Sequence, residues 1–251
     1  MSAPYDSFDY PNYWIGRDYE HESEVYAIGE LLSKIDKIHT IAEIGAGYGR
    51  LTPVYSFRAK KIILIDPSLK LLRVAQKSTK NKKTLFINSK AENLHKKMRA
   101  STADLAILVR VLHHIKNPEK VFLNISRILK KRGYLILEFP NKYHFKARII
   151  EFLKGNLTFP IDISTKDISS KKSKKQKTLP FHNYHPDKII EILKNCGFEI
   201  VEIRSVSNIR SPLVKKILST HVLVEIEKKI QKPLARAFFG PSLFILAQKQ
   251  G

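Results

Sequence analysis

Three glycines at alternate positions, Gly45, Gly47 and Gly49, follow an apolar run that ends at Glu43 and Ile44. Glycine lacks a Cβ and adopts φ > 0 readily, so such a turn lets backbone approach a ligand closely. A helix-like segment starts at once, and a helix N-terminus aims unpaired N–H groups at whatever occupies the turn. A further acid, Asp66, closes the next apolar run, Lys61–Ile65. It lies one β-α-β step after the glycines, the offset at which a carboxylate accepts hydrogen bonds from a ribose diol. A nucleoside-containing cofactor is the first inference. A dinucleotide fits less well. The spacing is G-x-G-x-G, and the third glycine of G-x-G-x-x-G would fall where Arg50 stands. NAD stays open on this pattern, because a lone glycine-rich turn is a weak signal.

Other residues could act on a substrate. His113 and His114 carry imidazoles that titrate near neutral pH when unperturbed. Neighbours at a strand end point in opposite directions, so both are not expected to reach one reacting atom. Trp14, Arg17 and Tyr19 stand just ahead of the first helical stripe. Arg17 suits bidentate capture of a carboxylate, although arginine is also a common solvated surface residue. Trp14 and Tyr19 are candidate substrate contacts. His182, Tyr184 and His185 precede a helix that starts near position 186. No carboxylate or cysteine is paired with them at ligand spacing, so no metal is expected there. His182 and Tyr184 are pocket candidates, with turn and capping roles as the alternative. Cys196, just before Gly197, reads as a small buried packing residue.

These residues need elements to hold them. Strands are expected at 40–45, 61–66, 84–88, 104–110 and 134–139, with helices at 49–57, 68–78, 91–98 and 118–130 between them. Several strands are continuous apolar runs, as central parallel strands covered on both faces require. The alternation implies an α/β, doubly wound sheet with its ligand at the carboxyl ends of the strands. A helix over 18–36 precedes the sheet, carrying a stripe of Val25, Ile28, Leu32 and Ile35. After 140 the rhythm breaks. A basic helix is expected at 141–155, an irregular stretch at 156–181, a helix at 186–195, a strand at 198–206, an amphipathic helix at 211–231 and a last strand at 243–247.

The division expected is an N-terminal arm and helix (1–38), a cofactor-binding core (39–140), a basic insertion or lid (141–185) and a C-terminal part of the sheet (186–251), all within one domain. At 251 residues and 43% hydrophobic composition the chain can bury a real core. One cysteine excludes an intrachain disulfide framework and a cysteine-based zinc cluster. No signal peptide or membrane-length apolar run is visible, so a soluble, cytoplasmic protein is expected. The net charge is +22, and it is uneven: the first 30 residues carry −6 and the rest +28. Such a surface admits an anionic partner, RNA or an acidic membrane face. The polybasic run 171–177 is its expected contact, and lysine-rich composition is the plain alternative.

Several motifs in order resemble the class I S-adenosylmethionine-dependent methyltransferases, in particular the group of small-molecule and quinone-biosynthesis enzymes. They are Glu43-Ile-Gly-Ala-Gly-Tyr-Gly49, Ile65-Asp-Pro-Ser68, Ala91-Glu92, Val111-Leu-His-His-Ile115, Asn117-Pro118, Arg127-Ile-Leu-Lys130 and Gly197-Phe-Glu199. The resemblance is close over 40–140 and loose over 186–251. It implies a Rossmann-like, seven-stranded, mostly parallel sheet, and S-adenosyl-L-methionine as the cofactor. It implies that Gly45, Ala46, Gly47 and Gly49 border the methionine and ribose. Glu43 would then anchor the ammonium, Asp66 and Pro67 meet the ribose, and Ala91 and Glu92 flank the adenine. Arg110 to His114 would face the reacting methyl, and Arg17 would grip the carboxylate. Lys90 stands where the family often has the aspartate that meets the adenine amine. The implied activity is methyl transfer to a small-molecule or lipid-like acceptor. An RNA methyltransferase, or a non-catalytic cofactor-binding protein, are the alternatives.

Overall fold

The structure is a computed structural model that describes residues 12–79, 83–169 and 180–251. The run 171–177 therefore lies outside the described residues. Five strands alternate with helices through the first part of the chain. They are β1 (Thr40–Ile44), β2 (Lys61–Asp66), β3 (Thr84–Asn88), β4 (Ala103–Leu108) and β5 (Leu129–Pro140). A short antiparallel pair follows, β6 (Lys166–Asp167) with β7 (His182–Asn183), and then β8 (Phe198–Val206) and β9 (Ser242–Lys249). Seven of these form one sheet in the order β3-β2-β1-β4-β5-β9-β8. β1 to β5 pair in parallel, and β9 runs antiparallel to both β5 and β8.

The apolar runs explain the burial. Every residue of β1 is buried, as is every residue of β2 after Lys61. Helix α1 (Asp18–Leu32), short α2 (Thr52–Tyr55) and α3 (Leu69–Ser78) cover one face, where Ile28, Leu31, Tyr55 and Leu72 pack on Ile41, Ile62 and Leu105. Short α4 (Leu94–Lys97), α5 (Pro118–Ile128), α6 (Phe145–Leu153) and α7 (Pro186–Asn195) come next in the chain. Of these, α4, α5 and α7 cover the other face, packing Leu94, Phe122, Ile125 and Leu193 on Ala42, Ile63 and Leu135. Asn117 and His185 cap α5 and α7 with side-chain acceptors, and each helix has proline in its first turn.

The helix expected over 211–231 is two helices, α8 (Pro212–Ile217) and α9 (Thr220–Ala235). Ser219 adopts extended backbone between them and its side chain accepts from Val222 N, which restarts the helix. The apolar period runs through the break, but Leu213 and Ile217 are exposed. The long α1 also ends early, at Leu32 rather than at 36. Strand β5 starts at Leu129, five residues before the expected start, because Leu129 pairs with Ala103 ahead of a register shift. No helix among the described residues is long and apolar enough to cross a membrane.

Candidate functional site

The carboxyl ends of β1, β2 and β4 converge on a cleft of about 150 Å³ lined by Gly45, Gly47, Asp66, Ala91, Arg110 and His114, among others. Its floor requires bare backbone. Gly45 has φ +78°, and a Cβ there would collide with the Val111 side chain. Gly47 also has positive φ, and its N–H donates to Asp66 Oδ2 at 2.9 Å. Asp66 Oδ1 accepts from Ser68 N at 2.7 Å. The carboxylate is thereby fixed at the cleft wall. It still has acceptor capacity, since an ionised carboxylate takes roughly four hydrogen bonds. Ser89, Lys90, Ala91 and Glu92 line the far end, after β3.

The glycine turn does not bring Glu43 to the cleft. This buried acid turns toward α2, where it accepts from the Tyr55 hydroxyl and from Thr52 Oγ1 at 3.1 Å. Burial pushes its carboxyl up to about 7, against the pull of Tyr55 and Thr52. Ala46 and Gly49 are also absent from the lining. Ala46 packs into the core, and Gly49 backs onto Ala75 and Thr52.

The two histidines separate. His114 lines the cleft, and its Nδ1 donates to the Pro180 carbonyl at 2.7 Å. That bond leaves Nε2 as the acceptor in the neutral ring. His113 is buried against Phe181 and His114, with ring centroids at 4.4 and 3.8 Å, and is not part of the lining. Burial, with Arg110 nearby, drives its imidazole down to about 3. Burial lowers His114 as well.

Arg110 separates the cleft from a second cavity of about 500 Å³ and lines both. It holds φ 61°, a strained value for a residue with a side chain. Its N–H donates to buried Glu138 at 2.8 Å, and its Nε donates to Glu24 at 2.7 Å. Glu24, fully buried on α1, also takes Arg50 Nη2 at 2.6 Å. Burial alone would raise Glu24, but the two guanidiniums outweigh it and hold the carboxyl low. The Trp14 ring lies 3.5 Å from the Arg50 guanidinium carbon, which fixes the N-terminal arm over this pair.

Trp14 and Arg17 line the second cavity, with Arg17 over the Tyr13 ring at 4.2 Å. Tyr19 does not. Its hydroxyl donates to Glu227 at 2.6 Å inside the packing of α1 on α9. His182 and Tyr184 also stay out of the lining. The Tyr184 hydroxyl donates to the Ile115 carbonyl at 2.6 Å, and His182 Nδ1 lies 3.3 Å from the same oxygen. Their neighbour Asn183 takes the cavity position instead. Glu138, Asn141, Ser207, Arg210 and Lys215 are among the other wall residues and carried no local signal in the sequence. Among the described residues, no group of three His, Cys, Asp or Glu could hold a metal ion.

A family model described as a methyltransferase domain matches residues 42–137, the segment that builds the cleft. Over residues 42–137 the chain is thus similar to methyltransferase domains. A curated relative from Saccharomyces cerevisiae, the probable S-adenosylmethionine-dependent methyltransferase CRG1, is 34% identical over 112 residues. That match covers 41% of this chain and spans only 38% of the yeast protein. A SAM-dependent methyltransferase from Thermotoga maritima has the same fold, with TM-score 0.62 and 18% identity, covering 98% of each chain. One from Mesorhizobium loti does so with TM-score 0.61 and 14% identity, over 90% of this chain and 98% of its own. The methyltransferase domain implies S-adenosyl-L-methionine as cofactor. The cleft fits it: a bare glycine floor, a fixed carboxylate at the ribose offset and a polar segment at the far end.

Proposed function

We propose that the chain transfers a methyl group from S-adenosyl-L-methionine to a small-molecule or lipid-like acceptor held in the second cavity. The observation that carries this reading is the pair of cavities meeting at Arg110, one with the features of a nucleoside site and one lined by polar and charged groups. When bound, the cofactor supplies an already activated methyl for in-line displacement, so the protein's task is alignment and exclusion of water.

In this reading Asp66 accepts from the ribose hydroxyls, Gly45 and Gly47 admit the cofactor to the backbone, and Ala91 and Glu92 flank the base. Glu43 acts from behind, by holding α2 against the glycine turn through Tyr55 and Thr52. His114, on the cofactor side of Arg110, is the group suited to take a proton from an acceptor atom that reaches into the cleft, because its Nδ1 is committed to Pro180. His113 supports it by packing. Arg17 and Trp14 belong to the acceptor side. The net charge of +22 favours RNA as a second reading.

Incubation with methyl-labelled cofactor and a cell extract split into metabolite, lipid and RNA fractions tests the choice. Label in the metabolite or lipid fraction is expected. Label confined to RNA would replace this reading with the second, and no label at all would reject methyl transfer.

A further inference from the structure

The second cavity has charge features that point to its occupant. Four cations line it, Arg17, Arg110, Arg210 and Lys215, against two carboxylates, Glu20 and Glu138. Two of the cations are answered within the fold: Arg110 by Glu24, and Lys215 by Glu20 at 2.5 Å. Glu138 is buried, accepts from Arg110 N and the Ser242 hydroxyl, and forms no ion pair with Arg17 or Arg210. Among the described residues, no carboxylate pairs with Arg17 or Arg210.

A second observation concerns hydrogen bonds. Trp14 Nε1, Asn183 Oδ1 and the Ser207 hydroxyl are buried without a partner, and all three residues line this cavity. A buried polar atom with no partner costs free energy, and these three belong to residues of the same wall. The wall also bears a positive field. His144, which lines it too, is driven down to about 4 by burial and then by Arg210, Lys146, Arg148 and Lys166. A volume of about 500 Å³ suits a small molecule.

We infer that the methyl acceptor is a small anion, carrying a carboxylate or phosphate group that Arg17 and Arg210 clamp. Both guanidiniums present planar donor forks suited to an oxyanion. This rests on the methyltransferase reading above, which places the acceptor in this cavity.

The test separates the two claims. A cell extract is passed through an ultrafilter, and the filtrate is split on an anion exchanger before incubation with methyl-labelled S-adenosylmethionine. Label should follow the retained fraction. Prior alkaline phosphatase treatment distinguishes the two oxyanions: label that persists marks a carboxylate, and label that vanishes marks a phosphate ester. For the acceptor so captured, Arg17→Gln and Arg210→Gln should each raise KM about tenfold while S-adenosylhomocysteine affinity stays at the wild-type value. Label in the unretained fraction or in the macromolecular retentate, or unchanged KM in both variants, overturns the inference and leaves methyl transfer standing. Absent S-adenosylhomocysteine binding, or binding with no fraction labelled, removes the underlying reading and this one with it.

Discussion

The cleft beside Gly45 and the cavity beyond Arg110 share one residue and differ in almost everything else. The cleft takes its lining from four strand ends, through short consecutive runs such as Ser89–Glu92 and Arg110–Val111. The cavity draws on seven separated stretches, from Tyr13 in the N-terminal arm to Ser242 at the start of β9. The cleft's key groups are backbone and one fixed carboxylate, whereas the cavity's are long cations and unpaired polar atoms. The contrast implies a division of labour. A rigid, sheet-anchored site suits an invariant cofactor. A site assembled from arm, loops and helices can change its acceptor without disturbing the sheet.

The largest expected effect breaks the cleft and spares the cavity. Gly45→Val places a branched Cβ at φ +78° and against Val111. Affinity for S-adenosylhomocysteine should fall by more than about 100-fold, with a stability loss of roughly 1–3 kcal/mol from backbone strain. Near-wild-type affinity in calorimetry would show that the glycine floor is not where the cofactor lies.

Next comes the wall between the two sites. Glu24→Ala leaves Arg50 and Arg110 facing each other without their shared carboxylate. Urea unfolding should report a loss of about 3 kcal/mol, as for removal of one member of a buried ion cluster. Both cofactor affinity and acceptor KM should worsen. A change in one site alone would mean that Arg110 does not couple them.

The narrowest effect, confined to one pH window, isolates Glu43, which belongs to the cleft's support and not its lining. Its folded carboxyl titrates near 7, above the ordinary range of an unfolded glutamate. The native state thus binds the extra proton, so Glu43 makes stability fall as pH rises from about 4.5 to 7. Relative to wild type, Glu43→Gln should gain up to about 3 kcal/mol across that window, read from paired urea titrations. A difference independent of pH would place a charged Glu43 in the native state.

This contrast also explains what could be read from the chain. Asp66, Gly45 and Gly47 were legible because β2 and the turn after β1 are local, and a strand end fixes where its last residue sits. Glu43 carried a strong motif, yet its side chain points to α2. Motif spacing specifies position along a strand but not which neighbour satisfies a buried acid. Tyr19, His182 and Tyr184 stood near plausible places, but each hydroxyl or ring found a distant partner in Glu227 or the Ile115 carbonyl. Arg210, Ser207 and Asn183 were invisible as site residues, because only the pairing of β8 with β9 and of β6 with β7 brings them to the same space. The continuous helix expected over 211–231 failed for a local reason, the Ser219 cap, which the apolar period masked.

Asp66 and the glycine floor are the proposed seat of the adenosyl cofactor. Titration calorimetry of S-adenosylhomocysteine into the wild type and Asp66→Asn tests it directly, with the folded state of each checked by circular dichroism. One-site binding by the wild type is expected, with a loss of at least about tenfold in the variant, since the ribose hydroxyls lose a charged acceptor. No heat at millimolar ligand, or equal affinity in both proteins, would contradict it.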